Sequence, residues 1–89
     1  MADRKVVRKG APNSVYIGRP SFLGNPFVIG EDGNRAEVIE KYRIWFTNRI
    51  ASNPTFGDAV RAYCGDKDLA CWCAPLSCHG DVIKEFLDG

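Results

Sequence analysis

The chain contains no run of about eighteen apolar residues, which removes a membrane-spanning helix from consideration. Its first ten residues, MADRKVVRKG, carry charge but no apolar stretch, so no secretory leader is expected. There is no internal repeat, no low-complexity tract and no linker, and histidine occurs once. Net charge is only +1, which gives no global electrostatic pull toward nucleic acid. Together these absences point to a soluble cytoplasmic protein. Four cysteines is an even number, but without a leader reduced thiols are the expected state.

What is present fits one folded domain over residues 1–89. The composition is 45% hydrophobic, 26% charged and 11% aromatic, ordinary for a globular chain and too apolar for global disorder. Arg4, Lys5, Arg8 and Lys9 face only Asp3 in the first nine residues. They read as a guarded edge strand or, more sharply, as a phosphate-contacting arm.

Lys5 to Lys9 predicts a first strand and Ser14 to Gly18 a second, with the turn cluster Gly10-Ala11-Pro12-Asn13 between them. The two can pair as a hairpin. Gly18-Arg19-Pro20 stops the second strand, because proline lacks the N–H and restricts the residue before it. Phe27-Val28-Ile29 is a third short extended segment or a packed loop.

Asn34, with Glu37 three residues on, is a capping-box pattern. Val38, Ile39, Tyr42, Trp45, Phe46 and Ile50 then recur at helical spacing, predicting a helix from about Arg35 to Ala51. Asn53-Pro54 predicts a second helix start, with Phe56, Ala59, Val60 and Tyr63 on one face, ending near Cys64-Gly65. Leu69 to Cys73 is apolar without alternation, as in a strand covered on both faces. Ala74-Pro75-Leu76 is a loop, and Ser77 or Cys78 caps a last helix that turns Val82, Ile83, Phe86 and Leu87 to the sheet. The expected fold is α/β, a three- or four-stranded mixed sheet with about three helices packed on it.

The chemistry gathers in the final strand, loop and helix. The start of a helix offers unpaired backbone N–H groups and partial positive charge, which suit an anion at the carboxyl end of a strand. Ser77, Cys78, His79 and Gly80 occupy that start, and Gly80 adds no side-chain obstruction. A first-turn thiol is drawn toward thiolate, making Cys78 a candidate nucleophile with His79 or Asp81 as proton partner or orienter. The plainer readings are a buried small hydrophobe for Cys78 and a histidine bonded to a loop carbonyl for His79.

Arg19 ends its strand much as Cys73 ends another. If those strands are parallel neighbours, Arg19 and the Cys78 end of the helix meet at one rim, where an arginine fork suits phosphate or carboxylate. Asn25 in the next loop can add amide or base recognition. The leading expectation is therefore a small anionic ligand, nucleotide or nucleotide-derived, contacted by Arg19, Asn25, Cys73, Ser77 and Gly80. Chemistry at Cys78 is an open question.

Two other classes stand beside it. Cys71, Cys73, Cys78 and His79 could staple a protein-interaction module with zinc. Their C-x-C and C-H spacing matches neither paired zinc knuckles nor helical H-x3–5-H, so no metal or other cofactor is assigned. The basic N-terminal arm could bind nucleic acid weakly. A protein partner fits the first of these, and no membrane is expected in either.

The chain also resembles a small family of phage and bacterial domains of unknown function. The resemblance rests on Val15-Tyr16-Ile17-Gly18-Arg19-Pro20, Gly24-Asn25-Pro26-Phe27, Glu37 to Trp45, and the CWC-x-P-x-x-CHGD run within Leu69 to Ile83. Ser77 stands where proline is frequent, and Phe22-Leu23 replaces a more polar pair. The resemblance implies an α/β fold and a phage or prophage setting, hence a host cytoplasm. It implies no established activity, but it groups Arg19, Asn25, Cys73, Cys78, His79 and Asp81 in shared motifs.

Overall fold

The computed structural model describes residues 4–19, 21–72 and 78–88. They form β1 (Val6–Arg8), β2 (Ser14–Tyr16), α1 (Arg35–Ser52), α2 (Pro54–Cys64), β3 (Asp68–Cys71) and α3 (Gly80–Asp88). The fold is α/β, with a sheet of three strands in the order β1-β3-β2.

β3 takes the centre because its residues have the most to bury. Leu69, Ala70 and Cys71 are all buried, and a strand covered on both faces must find backbone partners along both edges. β1 supplies one edge, in the register Val6 to Leu69 and Arg8 to Cys71. β2 supplies the other, with Val15 opposite Leu69 and Tyr16 opposite Ala70. Both pairings are parallel, so the described sheet is parallel throughout. Bonds continue beyond each strand: Leu69 N–H donates to Lys5 O (2.9 Å), and Ile17 N–H to Ala70 O (2.9 Å).

The expected hairpin between β1 and β2 does not form. Parallel strands cannot be joined by a tight reversal, and residues 9–13 instead carry the chain past β3 to its far edge. Asn13 closes that crossing with φ of +56°, a left-handed value that asparagine tolerates better than most residues. Its carbonyl accepts from Asp68 N–H at 3.2 Å, fixing where β3 begins. Phe27-Val28-Ile29 forms turns and bends, not a strand.

The capping box opens α1 as the sequence predicts. Asn34 Oδ1 accepts from Glu37 N–H, and Glu37 Oε1 accepts from Asn34 N–H, both at 2.9 Å. Asn53 and Pro54 begin α2, although the Asn53 carboxamide accepts from the Thr55 hydroxyl instead of capping the helix. α1 packs on α2 and α3, while α3 packs on β1 and β3. Tyr42 and Phe46 of α1, Val60 and Cys64 of α2, Leu69 of β3 and Ile83 of α3 make one core with Ile17 and Leu23. No described helix is long and apolar enough to cross a membrane.

Candidate functional site

A pocket of about 370 Å³ opens at the carboxyl ends of β2 and β3. Tyr16, Gly18 and Arg19 reach it from the end of β2, and Cys71 and Trp72 from the end of β3. Cys78 and His79 enter from just before α3. Asn25, Phe27, Val28 and Ile29 also line it, with Arg35, Val38 and Ile39 of α1. In open parallel sheets ligands bind at this end of the strands. β2 and β3 are parallel neighbours, so Arg19 and Cys78 do share one rim. Two arginines and no carboxylate line the pocket among the described residues.

The Arg19 loop is held from several sides. Ser21 N–H donates to Gly18 O (2.8 Å) and Gly24 N–H to Ser21 O (3.0 Å), tying Gly24 back through Ser21 to Gly18. A side chain at Gly24 would come within 2.9 Å of the Arg19 backbone, so that position accepts only glycine. Tyr42 of α1, fully buried, donates its hydroxyl to Leu23 O at 2.8 Å. Burial, with Cys64 and Cys78 nearby, pushes that phenol well above its ordinary value, so it stays a donor.

A second chain of bonds crosses the sheet. Trp72 Nε1–H donates to the Tyr16 hydroxyl (2.9 Å), which donates to Arg19 O (2.8 Å). Tyr63 donates to Tyr16 O at 2.6 Å. Lys9 lies 5.3 Å from the Tyr16 ring centroid and 5.2 Å from that of Trp72. A third cation thus stands beside the pocket mouth, next to an indole that is 66% exposed.

His79 is buried, with Nε2 2.8 Å from Ile17 O. A carbonyl only accepts, so the proton sits on Nε2 and Nδ1 is left as an acceptor. Desolvation lowers its pKa below 6.5, against the Ile17 hydrogen bond; Arg19 lowers it further and Asp81 raises it. The neutral ring is the resting form at neutral pH. Cys78 is also buried, and its Sγ lies 2.9 Å from Cys71 Sγ and accepts from Gly80 N–H at 3.3 Å.

Of the residues singled out in the sequence, Arg19, Asn25, Cys78 and His79 meet in the pocket. Cys73 and Ser77 lie outside the described residues. Asp81 and Gly80 are in the first turn of α3 and do not line the pocket. Gly80 is buried instead against Ile17, Val6 and Cys78. The N–H groups of Gly80 and Asp81 are both turned to Cys78, to its Sγ and its carbonyl, so these two are not directed at a ligand. Asn25 accepts from Phe27 N–H at 2.9 Å and donates weakly to Val38 O, which makes it the clasp of its own loop.

Arg35 and Trp72 are pocket residues that sequence reasoning missed. Arg35 follows a capping residue directly, and that placement at the helix start was the available signal.

The basic arm is not all solvated. Arg4 donates to Lys67 O and Gly65 O, both at 2.9 Å, and pairs with Asp88. Among the described residues, no group of three or more His, Cys, Asp or Glu side chains is arranged to hold a metal ion.

Comparison with known proteins supports the expected kinship with phage and bacterial domains of unknown function. The chain is 35% identical over 75 residues to the "Uncharacterized 12.4 kDa protein in nrdA-td intergenic region" of Enterobacteria phage T4. That alignment covers 83% of this chain and 67% of the phage protein. No solved structure matches the chain. Residues 2–89 match the family described as Domain of unknown function (DUF4326), and the chain belongs to that family.

Proposed function

We propose that the pocket between β2, β3 and α1 binds a small anionic ligand, a nucleotide or a nucleotide-derived metabolite. The observation that carries this reading is the composition of the lining: Arg19 and Arg35 both line the pocket, and none of its other described lining residues is acidic. Paired guanidinium groups in a partly enclosed site favour phosphate or carboxylate, because planar donor forks match those oxygens. The second support is aromatic. Trp72 and Tyr16 offer ring surface beside those charges, and a base or other planar group stacks on such rings. The third is the neutral His79: with its proton on Nε2, Nδ1 is an acceptor that can take an amino or hydroxyl hydrogen without adding charge.

Recognition then rests on the arginines and the Cys78-His79 entry to α3. Arg19 holds the phosphate end, and its backbone is fixed by Tyr16 and by the Tyr42–Leu23 bond.

The test is calorimetric titration of a nucleotide panel, with tryptophan fluorescence as a parallel readout. Wild type should bind at least one mononucleotide, with quenching from Trp72. Arg19→Ala should weaken that binding about ten- to a hundredfold, the worth of one or two charge-assisted hydrogen bonds. A panel that gives no heat and no quenching, for wild type and variant alike, refutes the reading.

A further inference from the structure

Two thiols meet on the floor of this pocket, and ligand binding leaves their arrangement unexplained. Cys71 ends the central strand and Cys78 stands at the entry to α3, seven residues on. Both line the pocket although each is almost fully buried. Their sulfurs are 2.9 Å apart, closer than an ordinary non-bonded contact between two sulfurs. A disulfide needs about 2.05 Å, so under about 1 Å of approach separates the pair from a bond.

The two sulfurs are not equivalent. Cys78 Sγ accepts the Gly80 N–H in the first turn of α3, where backbone dipoles favour a negative sulfur. Cys71 is held in the strand, bonded through its carbonyl to Lys9 N–H. One sulfur is therefore suited to attack and the other to follow.

We infer that Cys71 and Cys78 form a redox-active dithiol, a thiol–disulfide exchange site that accepts small-molecule disulfides through the pocket mouth. The exchange runs in two steps. The Cys78 thiolate attacks one sulfur of the incoming disulfide; a protein–small-molecule mixed disulfide forms and the other half leaves as a thiolate, taking a proton. The Cys71 thiol loses its proton and attacks Cys78 Sγ, which expels the second half, again protonated. The protein dithiol is oxidised by two electrons, one small disulfide is reduced to two thiols, and the two protons end on the released thiols. The second step is fast because its reactants are already in contact.

This assignment does not depend on the nucleotide reading, since its substrate is a disulfide and its readout is mass. Reduced full-length protein is incubated with 2-hydroxyethyl disulfide, quenched in acid, alkylated and mapped by peptide mass spectrometry. Wild type should lose two hydrogens, retain no hydroxyethylthio group, and yield a Cys71–Cys78 linked peptide. Cys71→Ser should stop at the first step, with the adduct on Cys78. Cys78→Ser should react about tenfold more slowly or less, because the remaining sulfur lacks the helix-start N–H. Cys64, buried with its thiol pushed up by desolvation, is the internal control and should stay unmodified.

A wild-type link that maps to Cys64 or Cys73 overturns the assignment. So does ring closure in Cys71→Ser through another cysteine, or a native protein that stays reduced under conditions that oxidise the denatured chain. The wild-type map alone decides the pairing if either variant fails to fold.

Discussion

Alanine in place of glycine should stabilise this domain at one buried position and destabilise it at another. Gly57 lies inside α2, where a Cβ would meet Phe86 Cζ at 3.4 Å and Ile50 Cδ1 at 3.5 Å, ordinary contact distances. Alanine there removes backbone freedom from the unfolded chain and adds apolar contact, so Gly57→Ala should gain about 0.5–1 kcal/mol. Gly80 opens α3, and helix propensity alone predicts a gain of the same size. The packing predicts otherwise. Its Cβ would stand 2.9 Å from Ile17 Cδ1, 3.1 Å from Val6 Cγ1 and 3.2 Å from Cys78 Sγ. Three neighbours from three segments converge there. Ile17 is fully buried, and the Val6 methyl sits on a stiff β-branched stem. Overpacking of this kind costs about 1–3 kcal/mol, which exceeds the propensity gain. Gly80→Ala should therefore lose about 1–2 kcal/mol net. In a domain of this size each kcal/mol moves Tm by about 4–8 °C, so the two variants should separate clearly by calorimetry. Urea unfolding gives the free energies directly, provided the slopes match wild type. If Gly80→Ala melts as high as Gly57→Ala, the approach of α3 to β1 and β2 is looser than described and the packing argument fails.

Three further outcomes follow from the same contacts. Tyr42→Phe leaves Leu23 O buried without its donor, so it should lose about 1–3 kcal/mol in urea unfolding and weaken nucleotide binding by loosening the Arg19 loop. His79 has a folded-state pKa below its unfolded value of 6.5. The unfolded chain then binds the extra proton first, so the contribution of His79 is complete above pH 6.5 and is lost as pH falls toward the folded value. Unfolding free energy measured between pH 8 and 5 should show that decline in wild type, and His79→Gln should flatten it. Arg4→Ala removes two hydrogen bonds to the turn before β3 and the contact with Asp88, and should destabilise by about 1–3 kcal/mol. If Arg4→Ala instead leaves the urea midpoint unchanged, Arg4 is a solvated charge.

The helices were legible because their signals are local. The Asn34–Glu37 box and the Asn53-Pro54 start lie within a turn of the backbone they organise, and α1 and α2 run where their spacing puts them. The sheet was legible only in part. Val6 and Val15 look like hairpin partners when only the turn between them is considered. Their pairing is decided sixty residues away, by a strand that must be sheltered on both edges and so claims each of them. The LACWC run carried the clue, in its lack of alternation, but alternation reports burial and not neighbour identity. The site divides the same way. Arg19 and the Cys78-His79 entry to α3 were visible as strand-end and helix-start residues. Arg35 was hidden behind its own cap, and Cys71 was singled out only as a possible zinc ligand. Nothing in sequence order shows that its sulfur faces Cys78.

The position of β3 also sets the order in which this protein can come into being. Through the first 67 residues of synthesis two strands exist, and each finds its only described strand partner in a segment not yet made. α1 and α2 can form on that nascent chain, but the sheet cannot, and the pocket at its carboxyl end cannot precede it. A chain cut before Asp68 therefore retains two of the three helices and none of the strand pairing. By the same logic the segment from Asp68 onward carries the missing centre, and the two pieces supplied separately are natural halves for reconstitution.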